Sequence, residues 1–415
     1  MTIASRPWLM GLLSLMGVLV LSVPAQAHLE QEHPNTPIDA PLEAVQSKTP
    51  VPAGKIQIQL AAQPPLSEIV PAHQAVRLKL ETTNSQQTPL LEVQSAVQWQ
   101  LTLNTPVKTP WLSTDFPIVE GTTLLNGNLT SAANLLELET ILPIRGKYNL
   151  QATATVPETR AQGASQVPEG RTTQTFVLDV PENPVKYRNA ATLAGMLLLV
   201  GLLGGWIIGK PQASSVELSQ SARLLLSGAA TVAIVALLVV NISAESAEHS
   251  HAEPLSLSQT TAEVGSLKLE YLGDTIATVG KLADLSARLI DTRTNQPLPD
   301  ATFRLQAKDL EHGVTVLAIA GKADANGVFT WQQQFFDGAP HTLQIEASPV
   351  NSPAVSLAQT IDVEGVAPPL AVRLITLGYM TAIVAIGTAI GFWAERIRTG
   401  SRRFTGSVKP NTGRV

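Results

Sequence analysis

The chain has 415 residues, 44% of them hydrophobic and 15% charged, with a formal net charge of −5 and no cysteine. That charge gives no concentrated basic face for phosphate, which argues against a nucleic-acid partner. Without cysteine there is no disulfide, no thiolate metal site and no cysteine nucleophile. The length allows two or three domains, and the apolar excess gathers in four blocks.

The first block reads as a secretory signal over residues 1–27. Arg6 supplies the positive start, Trp8–Val23 the apolar core, and Ala25-Gln26-Ala27 a small-x-small cleavage site after Pro24. An uncleaved signal anchor is the alternative. Cleavage would make His28 the first residue of the mature chain. Residues 28–54 then form a proline-rich linker carrying His28, Glu30, Glu32 and His33.

From about 55 to 180 the apolar residues alternate with polar ones. Lys55–Leu60, Val76–Glu81, Val97–Leu103 and Tyr148–Ala154 all show the period of two expected of strands with one buried face. Many short strands of this kind must close face to face, so the expected domain is an antiparallel β-sandwich.

Three further apolar runs are long enough to cross a hydrocarbon core, which takes about 20 residues. They are Ala190–Ile208, Leu224–Ile242 and Leu374–Trp393, and none contains an acid, a base or a histidine. Gly201, Gly204 and Gly205 in the first would permit close helix packing. The tail 394–415 carries Arg396, Arg398, Arg402, Arg403, Lys409 and Arg414 against Glu395, which places it in the cytoplasm. With a cleaved signal, residues 209–223 form a cytoplasmic loop and both large domains lie outside. The expected setting is a bacterial inner membrane, crossed several times.

Residues 243–255 repeat the opening of the chain, with Glu248, His249, His251 and Glu253 just outside the membrane. Imidazole and carboxylate donors without thiolates suit Cu, Zn, Ni or Co. His28, His33, His249 and His251 are therefore the candidate ligands of a divalent transition metal, with Glu30, Glu32, Glu248 and Glu253 as co-ligands. A free α-amine on His28 would resemble the start of periplasmic copper-handling β-sandwiches. A flexible acidic segment with two histidines is more often a solvated linker than a selective metal site.

The second domain, 256–363, runs strand Leu285–Asp291, turn Asn295–Asp300, strand Ala301–Gln306, turn Ala323–Gly327, strand Val328–Trp331, turn Phe336–His341 and strand Leu343–Ala347. This order resembles the bacterial Ig-like and carboxypeptidase-regulatory-like sandwich domains. The resemblance implies a fold and no activity. Leu178-Asp179-Val180 with Arg188 before one span, and Ile361-Asp362-Val363 with Arg373 before another, indicate an internal duplication.

The expected fold class is thus two Ig-like antiparallel β-sandwiches plus three transmembrane helices. The sequence holds no nucleophile elbow, phosphate loop or zinc-protease helix, so the chain is expected not to be an enzyme, and no small-molecule substrate is evident. Its expected partners are the lipid bilayer and a periplasmic or membrane protein, which it would serve as a binding or assembly scaffold. The alternative is metal binding in a homeostasis or efflux system.

Overall fold

The computed structural model describes residues 42–48, 56–83, 96–109, 113–131, 134–156, 170–209, 261–349 and 352–404, all within one unit, Ala40–Val415. The signal, the run Leu224–Ile242, the segment 243–255 and the tail beyond 404 lie outside the described residues. Eighteen strands and two long helices make up the rest.

In the first half, β1 (Glu43–Val45) falls inside the segment read as a linker, and pairs with β2 (Gln57–Gln63). There follow β3 (Ala75–Thr83), β4 (Val97–Asn104), β5 (Thr123–Ser131), β6 (Leu135–Ile141), β7 (Gly146–Val156) and β8 (Gly170–Val180). The alternation read from sequence holds: along β4, Val97, Trp99, Leu101 and Leu103 are buried and Gln98 and Gln100 are exposed. Pairing is antiparallel in two groups, β2-β3-β6 and β5-β4-β7-β8.

The second half contains β9 (Thr261–Val264), β10 (Leu267–Tyr271), β11 (Ile276–Thr278), β12 (Leu282–Asp291), β13 (Gln296–Pro297), β14 (Thr302–Asp309), β15 (Thr315–Lys322), β16 (Val328–Gln334), β17 (His341–Ser348) and β18 (Val355–Glu364). Its seven main strands again pair in two groups, β10-β12-β16 and β15-β14-β17-β18. Numbered within each half, both read 1-2-5 and 4-3-6-7. Short accessory strands extend them, including β11, which runs parallel to β18.

The halves are hydrogen-bonded to each other. β6 pairs with β15, Leu138 opposite Ile319, and β16 pairs with β5, Trp331 opposite Gly127. In each case strand 5 of one half meets strand 4 of the other. Every layer is therefore shared: β2-β3-β6 continues into β15-β14-β17-β18, and β10-β12-β16 continues into β5-β4-β7-β8. A single cluster of buried residues runs through both halves, with Trp99, Tyr148 and Phe176 from one and Phe303, Phe329 and Trp331 from the other. Side chains also bridge the seam, Asn126 Nδ2 donating to Gln332 Oε1 at 2.7 Å and Gln334 Nε2 to Thr122 Oγ1 at 3.0 Å.

Each half hands over to a helix after its last strand. α1 (Pro184–Gly209) follows β8, and α2 (Leu370–Phe404) follows β18. Both are longer than the runs read from sequence. Both are apolar and long enough to cross a membrane, and these are the two such helices among the described residues.

Candidate functional site

The connections β4–β5, β6–β7 and β8–α1 in the first half meet at one end of the β body. So do β14–β15, β16–β17 and β18–α2 in the second, because strands 3, 5 and 7 of both halves finish there. Charged contacts hold the helix starts against it. Arg145 in the β6–β7 turn pairs with Glu182, and Lys186 Nζ lies 2.8 Å from Asp115 and 3.7 Å from Glu182. In the second half the Arg373 Nε donates to the Pro368 carbonyl at 2.8 Å.

Histidine and carboxylates gather at the same end. Asp309 closes β14, His312 sits in the β14–β15 turn, and Asp337 belongs to the β16–β17 turn. Their donor atoms all lie within 4.8 Å of one another. The Asp309 carboxylate is buried and organises the turn, Oδ1 accepting the Glu311 N–H at 2.8 Å and Oδ2 lying 2.7 Å from His312 Nδ1. Asp337 stands 3.8 Å from the same nitrogen. The hydrogen bond to Asp309 holds the His312 pKa above its usual value. His341 opens β17 beside this turn; it is buried, its Nδ1 is 2.7 Å from the Ala339 carbonyl, and burial pushes its pKa down. At the corresponding strand start in the first half stands Tyr148, whose hydroxyl donates to the Ile144 carbonyl at 2.7 Å and accepts its N–H at 2.8 Å. Such a tyrosine locks the turn before its strand.

The Asp309–His312–Asp337 group offers one imidazole and two carboxylates, a donor set that suits a first-row divalent metal. Its present bonds also serve a plain structural purpose, closing the turn. The ligands read from sequence are different ones: His28, His33, His249 and His251, with Glu30, Glu32, Glu248 and Glu253, all lie outside the described residues. None of Asp309, His312 and Asp337 is among the candidate ligands legible in the sequence, which carries no sign that the turn holding Asp337 lies beside Asp309.

The second feature of this end is the helix pair that leaves it. α1 and α2 run in the same direction with their backbones in contact. A Cβ added to Gly201 would meet the Val384 carbonyl, and one on Gly387 would meet the Leu198 carbonyl. One turn on, Gly205 faces the Thr388 carbonyl and lies against Phe392 N, and Gly391 faces the Leu202 carbonyl. Leu198 and Val384, Gly201 and Gly387, Leu202 and Thr388, and Gly205 and Gly391 are each 186 positions apart, so the contact is two-fold in character. Both helices thus present glycines four residues apart, the spacing that lets membrane helices approach closely. Gly204 does not take part and has open space around it, since it precedes Gly205 by one residue and so points about 100° round the helix from it; Gly209 extends the stripe instead.

No family model matches the sequence, and no curated protein matches it. Among solved structures, a CARDB domain from Pyrococcus furiosus determined in complex with di-metal ions is similar over 27% of this chain and all of that one, at 12% identity and a TM-score of 0.18. The adhesin InvE of Yersinia pseudotuberculosis is similar over 74% of this chain and 60% of its own, at 13% identity and a TM-score of 0.19. Dimeric latent PorU of Porphyromonas gingivalis shares 10% identity over 75% of this chain and 34% of its own, with a TM-score of 0.22. These superpositions are too loose to carry an argument about activity, and the fold rests on the strand pairings themselves.

Proposed function

We propose that the chain is a non-catalytic protein of the bacterial inner membrane, which holds two Ig-like modules outside the cytoplasm as a binding or assembly scaffold. The observation that carries this reading is the direction of the helices. α1 and α2 leave one end of the β body side by side and in parallel. If both cross a membrane, the whole body stands on one side of it, and the chain must cross back between Gly209 and Thr261. The sequence supplies an apolar run of matching length there, Leu224–Ile242. The basic tail after α2 then falls on the cytoplasmic face.

The shared strand order and the 186-residue spacing in the helices support an internal duplication, with the two copies joined as a symmetric dimer would be. Such a body is a rigid platform, because its layers are continuous across the seam. Its outward faces are polar: Gln98 and Gln100 on one layer, and Arg304, Gln306 and Gln344 on the other, point to solvent. In-cell photo-crosslinking from Gln98 and Gln344 tests the reading. A discrete protein adduct from either face supports a scaffold; no adduct from both faces contradicts it.

A second reading, capture of a divalent transition metal, is favoured by the convergence of Asp309, His312 and Asp337. Titration of Zn(II), Cu(II), Ni(II) and Co(II) into the full chain and into Asp309→Ala/His312→Ala separates it from metal capture by the four histidines of the terminal and central segments. Binding that disappears in the double variant assigns the metal to this turn. Binding unchanged in it removes the turn from the reading.

A further inference from the structure

The exposed apolar side chains of the β body are unevenly placed. Nine large ones are exposed among the described residues outside the helices, and only Leu135 and Val264 lie at the end far from the helices. The other seven ring the near end. Val107 follows β4, Leu272 and Ile276 lie between β10 and β12, and Leu282 opens β12. Leu310 and Val366 follow β14 and β18, and Leu42 precedes β1. Ile276 is 60% exposed, Leu310 53% and Val107 80%.

Strand register places them. Leu282 is opposite Gln334, at the β16 end that turns into the Asp337 loop, and Ile276 is opposite Asp362, near the end of β18. The Leu310 N–H donates to the Pro340 carbonyl, just before β17 begins. These positions share the end of the body from which α1 and α2 depart, so the apolar side chains lie beside the start of the helix pair.

We infer that this ring is a membrane-contact surface, seated in the headgroup layer of the bilayer that α1 and α2 cross. The inference rests on the membrane reading proposed above and adds a role for the β body. Spacing supports it. β8 ends at Val180 and α1 starts at Pro184, and the charge-free stretch begins at Ala190, about 9 Å further along a helix. A headgroup layer is roughly 5–8 Å thick on each side of the hydrocarbon. A body tied this closely, with Lys186 fixed to Asp115, has its rim at the depth of that layer. Tyr187, 61% exposed in the first turn of α1, is the residue type that settles there.

The ring carries both signs of charge. Lys108 adjoins Val107 and Lys281 adjoins Leu282, against Asp274, Glu311 and Asp337, so the contact draws on burial of aliphatic surface more than on attraction to anionic lipid. A helix-bearing end with exposed Leu, Ile and Val would otherwise leave that surface in water.

The absence of cysteine makes the test direct. The full chain, carrying single changes Leu272→Cys, Ile276→Cys or Leu310→Cys, is labelled with an environment-sensitive fluorophore and reconstituted into phosphatidylcholine vesicles containing shallow spin-labelled lipid for the rim and far-end positions and deep spin-labelled lipid for the spans. Leu135→Cys and Val264→Cys report the far end, and Leu199→Cys and Ile386→Cys report the spans. The expected result is blue-shifted, strongly quenched emission at 272, 276 and 310, and neither at 135 and 264. Rim labels that behave like 135 and 264, while 199 and 386 are quenched, would overturn the inference and leave the spans standing. No quenching at 199 and 386 would remove the membrane reading, and the rim contact with it.

Discussion

Gly201 and Gly387 stack directly on each other, a Cβ on Gly387 falling 3.1 Å from the Gly201 Cα. The pair joins the ends of two sequence halves through a contact that neither helix could make with a larger residue. It lies between two helices that leave the same end of the β body in parallel.

Gly201→Ile and Gly391→Ile should each destabilise the helix pair by about 1–3 kcal/mol, the usual cost of overpacking a tight contact. Gly204→Ile, one face away and in open space, should be tolerated. Thermal unfolding of the full chain in detergent checks this, since the account requires the first two to melt below Gly204→Ile.

The β body should unfold as one unit, because one core and two shared layers run through it. Trp99 reports the first half and Trp331 the second, and both are buried. In each variant that retains one of these tryptophans, with the other five changed to Phe, the fluorescence transition in urea should coincide with that variant's own far-UV circular dichroism transition. Two separated transitions would show that the seam is weak.

Tyr148→Phe should cost about 1–3 kcal/mol, because it strips the Ile144 N–H and carbonyl of their buried partner. Burial also pushes the Tyr148 pKa far above its ordinary value, so the hydroxyl remains protonated and able to donate in alkaline solution. Urea midpoints of the variant and the parent measure the loss.

The turn at Asp309 should make stability depend on pH. His312 is held above its unfolded value of about 6.5 by Asp309, with Asp337 and Glu311 adding to the effect. Its contribution is full below pH of about 6.5 and is lost as pH rises through the folded value. His341 acts in the opposite sense: buried and neutral, it contributes above about 6.5 and loses that contribution as pH falls through its lowered folded value. His312→Gln should therefore be less stable than the parent in mild acid and converge with it in alkali. Urea midpoints from pH 5 to 9 test the sign.

Much of the body was legible because burial on one face leaves a period of two in the sequence. Val97–Leu103 and Val76–Glu81 are strands for that reason. The seam was not legible, since the pairing of Leu138 with Ile319 joins residues far apart in the chain and leaves no local pattern. Glu43–Val45 is too short and too exposed to read as a strand, and pairs because Leu60 and its neighbours offer an open edge. The glycine stripe was half visible: Gly201 and Gly205 were in view, but Gly387 and Gly391 acquire meaning only when the facing helix is known. At the candidate site, His312 and Asp309 are close in sequence, whereas Asp337 arrives from another turn and carries no local signal.

The most direct test of the account is the sidedness of the chain in sealed proteoliposomes. A membrane-impermeant maleimide is applied to single changes Leu135→Cys, Val264→Cys and Arg398→Cys, before and after the vesicles are opened. The account expects 135 and 264 to share one side and 398 to lie on the other. Labels at 135 and 264 on opposite sides, or 398 on the same side as both, would contradict it.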